Sequence, residues 1–197
     1  TGLPAQVPHW ALAPQWWRNV SDTAEVLDDA RRSRAMGYPS SILWIDRPWS
    51  SYYHNWRFNE VLFPQAEEMF AELRALGYRV VLHHSPQMNP GGSSDLPAED
   101  ASEGLFEQFR DNGWLVSNPQ GAVIQFPWGG GNGGFVDWSH PGAVEAVAGH
   151  IERVTSLGAV GTKMDWDEYL QPNIQDIRIQ LEFYNGETNF TMRQWYS

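Results

Sequence analysis

The sequence predicts an α/β fold with a parallel sheet, on three observations. Short apolar runs alternate with stretches of helical periodicity, glycines follow the helical stretches, and two of the apolar runs end in an aspartate. With 197 residues, 42% of them apolar, the chain is long enough to bury a sizeable core.

The elements are read in order along the chain. Val7-Pro8-His9-Trp10-Ala11-Leu12 is the first expected strand, although Pro8 restricts it. Ser21-Asp22-Thr23-Ala24-Glu25 offers an N-cap and an acidic first turn for a helix that runs to Met36 and stops at Gly37. Ser41-Ile42-Leu43-Trp44-Ile45-Asp46 is a continuous apolar run, the pattern of a strand covered on both faces. Residues 64–76 form the next helix, with Phe70, Leu73 and Leu76 at helical spacing and Gly77 closing it. Arg79-Val80-Val81-Leu82-His83-His84 follows as a strand.

Between Ser85 and Gly134 the periodicity is lost, and the segment reads as an elaborated loop with a hairpin turn at Asn118-Pro119-Gln120-Gly121 and flexible glycine runs, the second at residues 129–134. Ser139 then serves as N-cap for a helix through Val144, Val147, Ile151 and Val154 that ends at Gly158. Ala159-Val160-Gly161-Thr162-Lys163-Met164-Asp165 is the last clear strand, and residues 174–183 carry a weaker helical pattern. Four strand–helix units are about half of a (β/α)8 barrel, for which ~250 residues is typical. A doubly wound sheet is the alternative topology, but no glycine-rich dinucleotide fingerprint follows the first strand.

Composition narrows the function. A formal net charge of −11 argues against a nucleic-acid partner, because polyanion sites concentrate Lys and Arg. No run approaches the ~20 apolar residues of a membrane-spanning helix. The chain has no cysteine, which removes disulfides and thiolate metal sites, and no His or carboxylate cluster has ligand spacing, so neither metal nor cofactor is expected. The 11 Trp residues suit both sugar stacking and core filling.

Asp46 and Asp165 stand where apolar strands end, the positions that converge on the active site of a barrel. Lys163, Asp165 and Asp167 share one strand face because the side-chain period is two. A neighbouring ammonium keeps a carboxylate ionised, as a nucleophile requires; the same spacing also suits a structural ion pair. Of the adjacent His83 and His84, one faces the pocket, and His84 is taken as the candidate.

Four segments in order carry a family resemblance. They are Ile45-Asp46-Arg47-Pro48-Trp49; the stretch Phe63-Pro64 with Leu73, Gly77 and Pro86; Val136-Asp137-Trp138-Ser139-His140-Pro141; and Lys163-Met164-Asp165-Trp166-Asp167-Glu168. The chain resembles glycoside hydrolase family 31, whose catalytic domain is a (β/α)8 TIM barrel and whose members are retaining α-glycosidases. The resemblance implies that residues 1–197 are the first half of that barrel, without the flanking β-domains. It implies that Asp165 is the nucleophile and that Asp46, Trp49, Trp128, Lys163 and Glu168 surround an α-linked sugar. Asp137 is left outside the site, as the organiser of a turn before its helix.

The family's acid/base carboxyl belongs to a later strand than the nucleophile, so the resemblance implies a chain inactive alone. Its expected partner is the complementary barrel half or a second copy of itself. A carbohydrate-binding remnant without turnover and a purely structural scaffold are the competing functions.

Overall fold

The computed structural model describes residues 6–19, 21–47, 49–52, 55–85, 87–90, 104–128, 131–165 and 181–188. A four-stranded parallel sheet is formed by β1 (Gln15–Arg18), β2 (Ile42–Ile45), β3 (Arg79–His84) and, last in the chain, β7 (Ala159–Met164), in the order β1-β2-β3-β7. Helices α1 (Thr23–Ala35), α2 (Ala66–Ala75) and α4 (Pro141–Leu157) connect and cover it. This is the architecture of a partial α/β barrel, with an excursion inserted between β3 and β7 as the sequence predicts.

Local chemistry explains the helices. The Asp22 side chain accepts the Glu25 N–H at 2.9 Å and opens α1, while Gly37 (φ 70°) and Gly77 (φ 80°) take the left-handed turn after α1 and α2. At α4 the cap is His140 instead of Ser139: the imidazole Nδ1 accepts the Gly142 N–H at 3.0 Å, and Pro141 occupies the first turn. Ser139 is engaged by Asp137, whose Oδ1 accepts both its N–H and its hydroxyl, and whose Oδ2 accepts the Tyr184 N–H. Asp137 therefore organises the turn, as its position before the helix predicts.

The main core lies between the sheet and these helices. Leu43, Ile45, Val80 and Leu82 meet Val26 and Ala30 of α1, Met69, Phe70 and Leu73 of α2, and Ala143, Val147 and Val154 of α4. The opposite sheet face carries Trp17, Trp44, Val81, His83 and Lys163, with Trp17 paired to Trp44, Trp44 to Val81 and His83 to Lys163. An irregularity opposite Val80 and Val81 decides that last pairing. Val80 pairs with Ala159 but Val81 with Gly161, so Val160 is bulged out and every later residue of β7 is advanced by one.

Three further sequence expectations are corrected. Residues 9–12 form a 3-10 turn, with the Ala11 N–H bonded to the Pro8 carbonyl at 2.9 Å, and the first strand is Gln15–Arg18. That edge strand holds two aromatics beside polar residues and lacks an apolar run. Within the excursion, α3 (Leu105–Asp111) buries Phe106 and Phe109 at helical spacing, and β4 (Gln87–Met88), β6 (Gly131–Phe135) and β5 (Gln125–Trp128) form an antiparallel sheet in the order β4-β6-β5. Of the weak helical pattern at 174–183, residues 174–180 lie outside the described residues, and Glu182 bridges Ser117 in extended form.

Part of the second glycine run is thus a strand, for a steric reason. A Cβ on Gly133 would meet Asn89 Oδ1 at 2.5 Å, and one on Gly134 would meet Val123 Cγ1 at 2.8 Å and Leu115 Cδ1 at 3.1 Å. Gly134→Ala should destabilise the protein by about 1–3 kcal/mol through overpacking. Urea unfolding checks this, and a variant as stable as the parent would show that the hairpin yields to the extra methyl.

Candidate active site

The C-terminal ends of the parallel strands bring two carboxylates, an imidazole and an ammonium together. Asp46 stands just past β2. Its Oδ2 accepts the Trp17 indole N–H at 2.8 Å and its Oδ1 accepts the Arg47 backbone N–H at 2.8 Å. Asp165 stands just past β7, held to β3 by its own N–H donating to the His84 carbonyl at 2.9 Å. Lys163 Nζ pairs with Asp165 Oδ2 and lies 4.8 Å from the centre of the Trp44 ring. Trp44 in turn packs against Trp17, with ring centres 5.8 Å apart.

His83 sits between the carboxylates. Its Nδ1 is 3.9 Å from Asp46 Oδ1 and its Nε2 is 3.5 Å from Asp165 Oδ2, while the residue is only 5% exposed. Burial pushes its pKa below that of a free histidine; Asp46 and Asp165 pull it back up, and Lys163 and Arg47 add to the lowering. The lowered pKa favours the neutral imidazole, which donates from one nitrogen at a time.

Both oxygens of Asp46 are engaged as hydrogen-bond acceptors, which suits a group that receives donors better than one that delivers a proton. Asp165 keeps 36% of its side chain exposed and has an ammonium at one oxygen. Lys163 and Asp165 do form the ion pair that their spacing allows. The pair is connected to a second carboxylate, Asp46, through the His83 ring.

The other sequence candidates are placed as follows. His84 points to the opposite face: it is buried, its ring centre is 5.1 Å from that of Trp56, and Trp56 stacks on His150 at 5.2 Å. The histidine beside the carboxylates is His83, because side chains alternate along β3 and the Val160 bulge sets Lys163 against His83. Trp49 is buried, with its indole N–H donating to the His83 carbonyl at 2.6 Å, so it supports β3 from within the core. Trp128 ends β5, and its side chain lies outside the described residues, as does Glu168. The sequence reading missed His83, Trp17 and Trp44. Trp44 shares strand parity with Asp46 and could have been found by that signal; the other two needed the register.

The His84 environment predicts a pH dependence of stability. Burial, aided by His83, pushes the His84 pKa down to about 3, below its unfolded value. The unfolded chain therefore binds this proton first as pH falls through about 6.5, and folded stability drops until His84 itself protonates. The loss should approach about 1.4 kcal/mol per pH unit from this residue. Denaturant melts from pH 7 to pH 4 should show a slope that His84→Asn reduces; an unchanged slope in the variant would assign the acid sensitivity elsewhere.

A surface cleft at the start of α2, lined by Trp56, Arg57, Phe63, Glu67 and Arg153, is separate from this cluster: none of Asp46, His83, Lys163 or Asp165 borders it. Among the described residues no group of His and carboxylate side chains could hold a metal ion.

The model of the glycosyl hydrolases family 31 TIM-barrel domain matches residues 4–197. The mouse (Mus musculus) myogenesis-regulating glycosidase is 34% identical over 150 residues, which are 75% of this chain and 19% of that protein. An α-xylosidase from Emericella nidulans is 26% identical over 204 residues, covering 100% of this chain and 24% of its own length. Among solved structures, a Flavobacterium johnsoniae GH31 dextranase complexed with glucose superposes with a TM-score of 0.83 at 20% identity, over 94% of this chain and 22% of that one. The chain thus spans about a fifth to a quarter of the length of these proteins.

Proposed function

The chain belongs to glycoside hydrolase family 31, and on that premise we propose that it carries the nucleophile half of a retaining glycosidase site for α-linked sugars. The observation that supports this best is the convergence of Asp46 and Asp165 on His83 at the ends of adjoining parallel strands, with Lys163 paired to Asp165.

In the first step a carboxylate oxygen of Asp165 attacks the anomeric carbon and the bond to the leaving oxygen breaks. That oxygen takes a proton from an acid on the other face of the sugar. In the second step water, deprotonated by the same acid/base group, attacks the anomeric carbon and releases Asp165. Asp46 receives hydroxyls of the same sugar ring, and the Lys163 ammonium sits against the attacking carboxylate. Retaining enzymes place their two carboxyl groups about 5–5.5 Å apart on opposite faces of the scissile bond. Asp46, with both oxygens accepting and on the same sheet as Asp165, does not fit the acid's role.

On this reading the acid/base carboxyl belongs to a later strand of the barrel, as the family resemblance implies. Transfer to a sugar hydroxyl in place of water uses the same two steps. The names of the relatives, an α-xylosidase and a dextranase, favour a neutral pyranoside as substrate, in keeping with the chain's acidic charge.

The competing reading is sugar binding without turnover, which Asp46 could serve unaided. An activated fluoro-glycoside, incubated with the protein in its complete assembly, should become esterified to Asp165 and be found there by peptide mass spectrometry. Saturable binding with no label on Asp165 would overturn the catalytic reading and leave the binding one.

A further inference from the structure

We propose that His83 is a positioning residue of this site, a rigid spacer between Asp46 and Asp165 that sets the distance and orientation of the two carboxylates. The inference rests on the reading of Asp165 as nucleophile. Asp46 holds the sugar ring and Asp165 attacks a carbon of that same ring, so their separation decides whether the anomeric carbon lies at attack distance. A misplacement of 1 Å at such a site can cost on the order of 10²-fold in rate.

A planar imidazole is suited to hold that spacing. Its two nitrogens face the two carboxylates, Nδ1 towards Asp46 at 3.9 Å and Nε2 towards Asp165 at 3.5 Å. Its backbone is clamped on both sides: the carbonyl accepts the Trp49 indole, and β3 pairs with β2 and β7. The ring is almost fully buried, so it does not swing into solvent.

The charges around it also favour a single arrangement. Asp46 and Arg47 face it from the end of β2, Lys163 and Asp165 from β7, and His84 adjoins it on β3. The shorter of its two contacts, Nε2 to Asp165 Oδ2 at 3.5 Å, reaches the oxygen that Lys163 also engages. Two side chains bearing on one oxygen restrict rotation of that carboxylate.

The test uses the full-length protein and a p-nitrophenyl α-glycoside that it hydrolyses. Variants H83L, H83N and H83Q are compared with the parent and with D165N, and thermal melts verify folding. Glutamine can place an amide N–H near the Nε2 position, asparagine only near Nδ1. A positioning role predicts that H83L and H83N lower kcat by about 10²-fold with KM changed less than about threefold, and that H83Q restores kcat by about tenfold.

Parent-like kcat in a folded H83L overturns the proposal. So does an H83Q no more active than H83N, which would reduce His83 to packing; this comparison stands even where H83L fails to fold. Inactive D165N beside unaffected His83 variants removes the positioning role alone. Active D165N removes the nucleophile reading and the positioning role with it.

Discussion

Replacing Asp165 with Asn should abolish glycoside turnover while leaving the fold and sugar affinity in place. The amide is nearly isosteric but carries no charge and cannot form the glycosyl ester, so the covalent step is lost. Removing one member of a catalytic constellation costs on the order of 10⁴-fold in kcat, about 5 kcal/mol of barrier. Stability should change little. Lys163 and Asp165 are both partly exposed, at 30% and 36%, and exposed pairs contribute about 0–1 kcal/mol. Steady-state kinetics and calorimetry on the same variant separate the two effects. Retention of a substantial fraction of parent activity would move the nucleophile to another carboxylate.

The second large effect is expected at Trp49. The sequence resemblance puts this residue among the sugar contacts, whereas the structure buries it to 2% exposure. Its indole donates to the His83 carbonyl at 2.6 Å, and its ring centre is 5.1 Å from that of Phe58. Trp49→Ala should therefore cost about 3–5 kcal/mol of folding stability, the range for truncating a buried aromatic. Trp49→Phe keeps most of the packing but leaves a buried carbonyl without its donor, a loss of about 1–3 kcal/mol. Denaturant unfolding measures both. A stable Trp49→Phe whose KM rises about tenfold would reinstate Trp49 as a sugar contact, because lost binding with unchanged folding is the mark of a ligand residue.

Most of the parallel framework was legible in the sequence. Ile42–Ile45 and Arg79–His84 are apolar enough to be covered on both faces, and α1, α2 and α4 each end at a glycine. The edge strand Gln15–Arg18 escaped because an edge needs no apolar run, and its burial alternates. Helix α3 spans seven residues, too short for periodicity to show. Residues 131–134 read as loop because their glycines answer to neighbours far along the chain, Asn89, Val123 and Leu115, and not to local preference.

At the site, Lys163 and Asp165 were legible because side chains two apart on a strand share a face, and the ordered motifs named the chemistry. Which histidine joins them was decided only in three dimensions. Parity within β3 separates His83 from His84 but does not say which one looks towards the carboxylates. That depends on the register of β3 against β7, and the bulge at Val160 shifts this register by one residue, setting His83 against Lys163. Trp17 likewise reaches Asp46 only because β1 pairs with β2 in its observed register. By itself the sequence determined the βα alternation, the family and the residue proposed to attack. Tertiary packing decided the surroundings of that residue, since strand register is a property of the pairing and of the core beneath it.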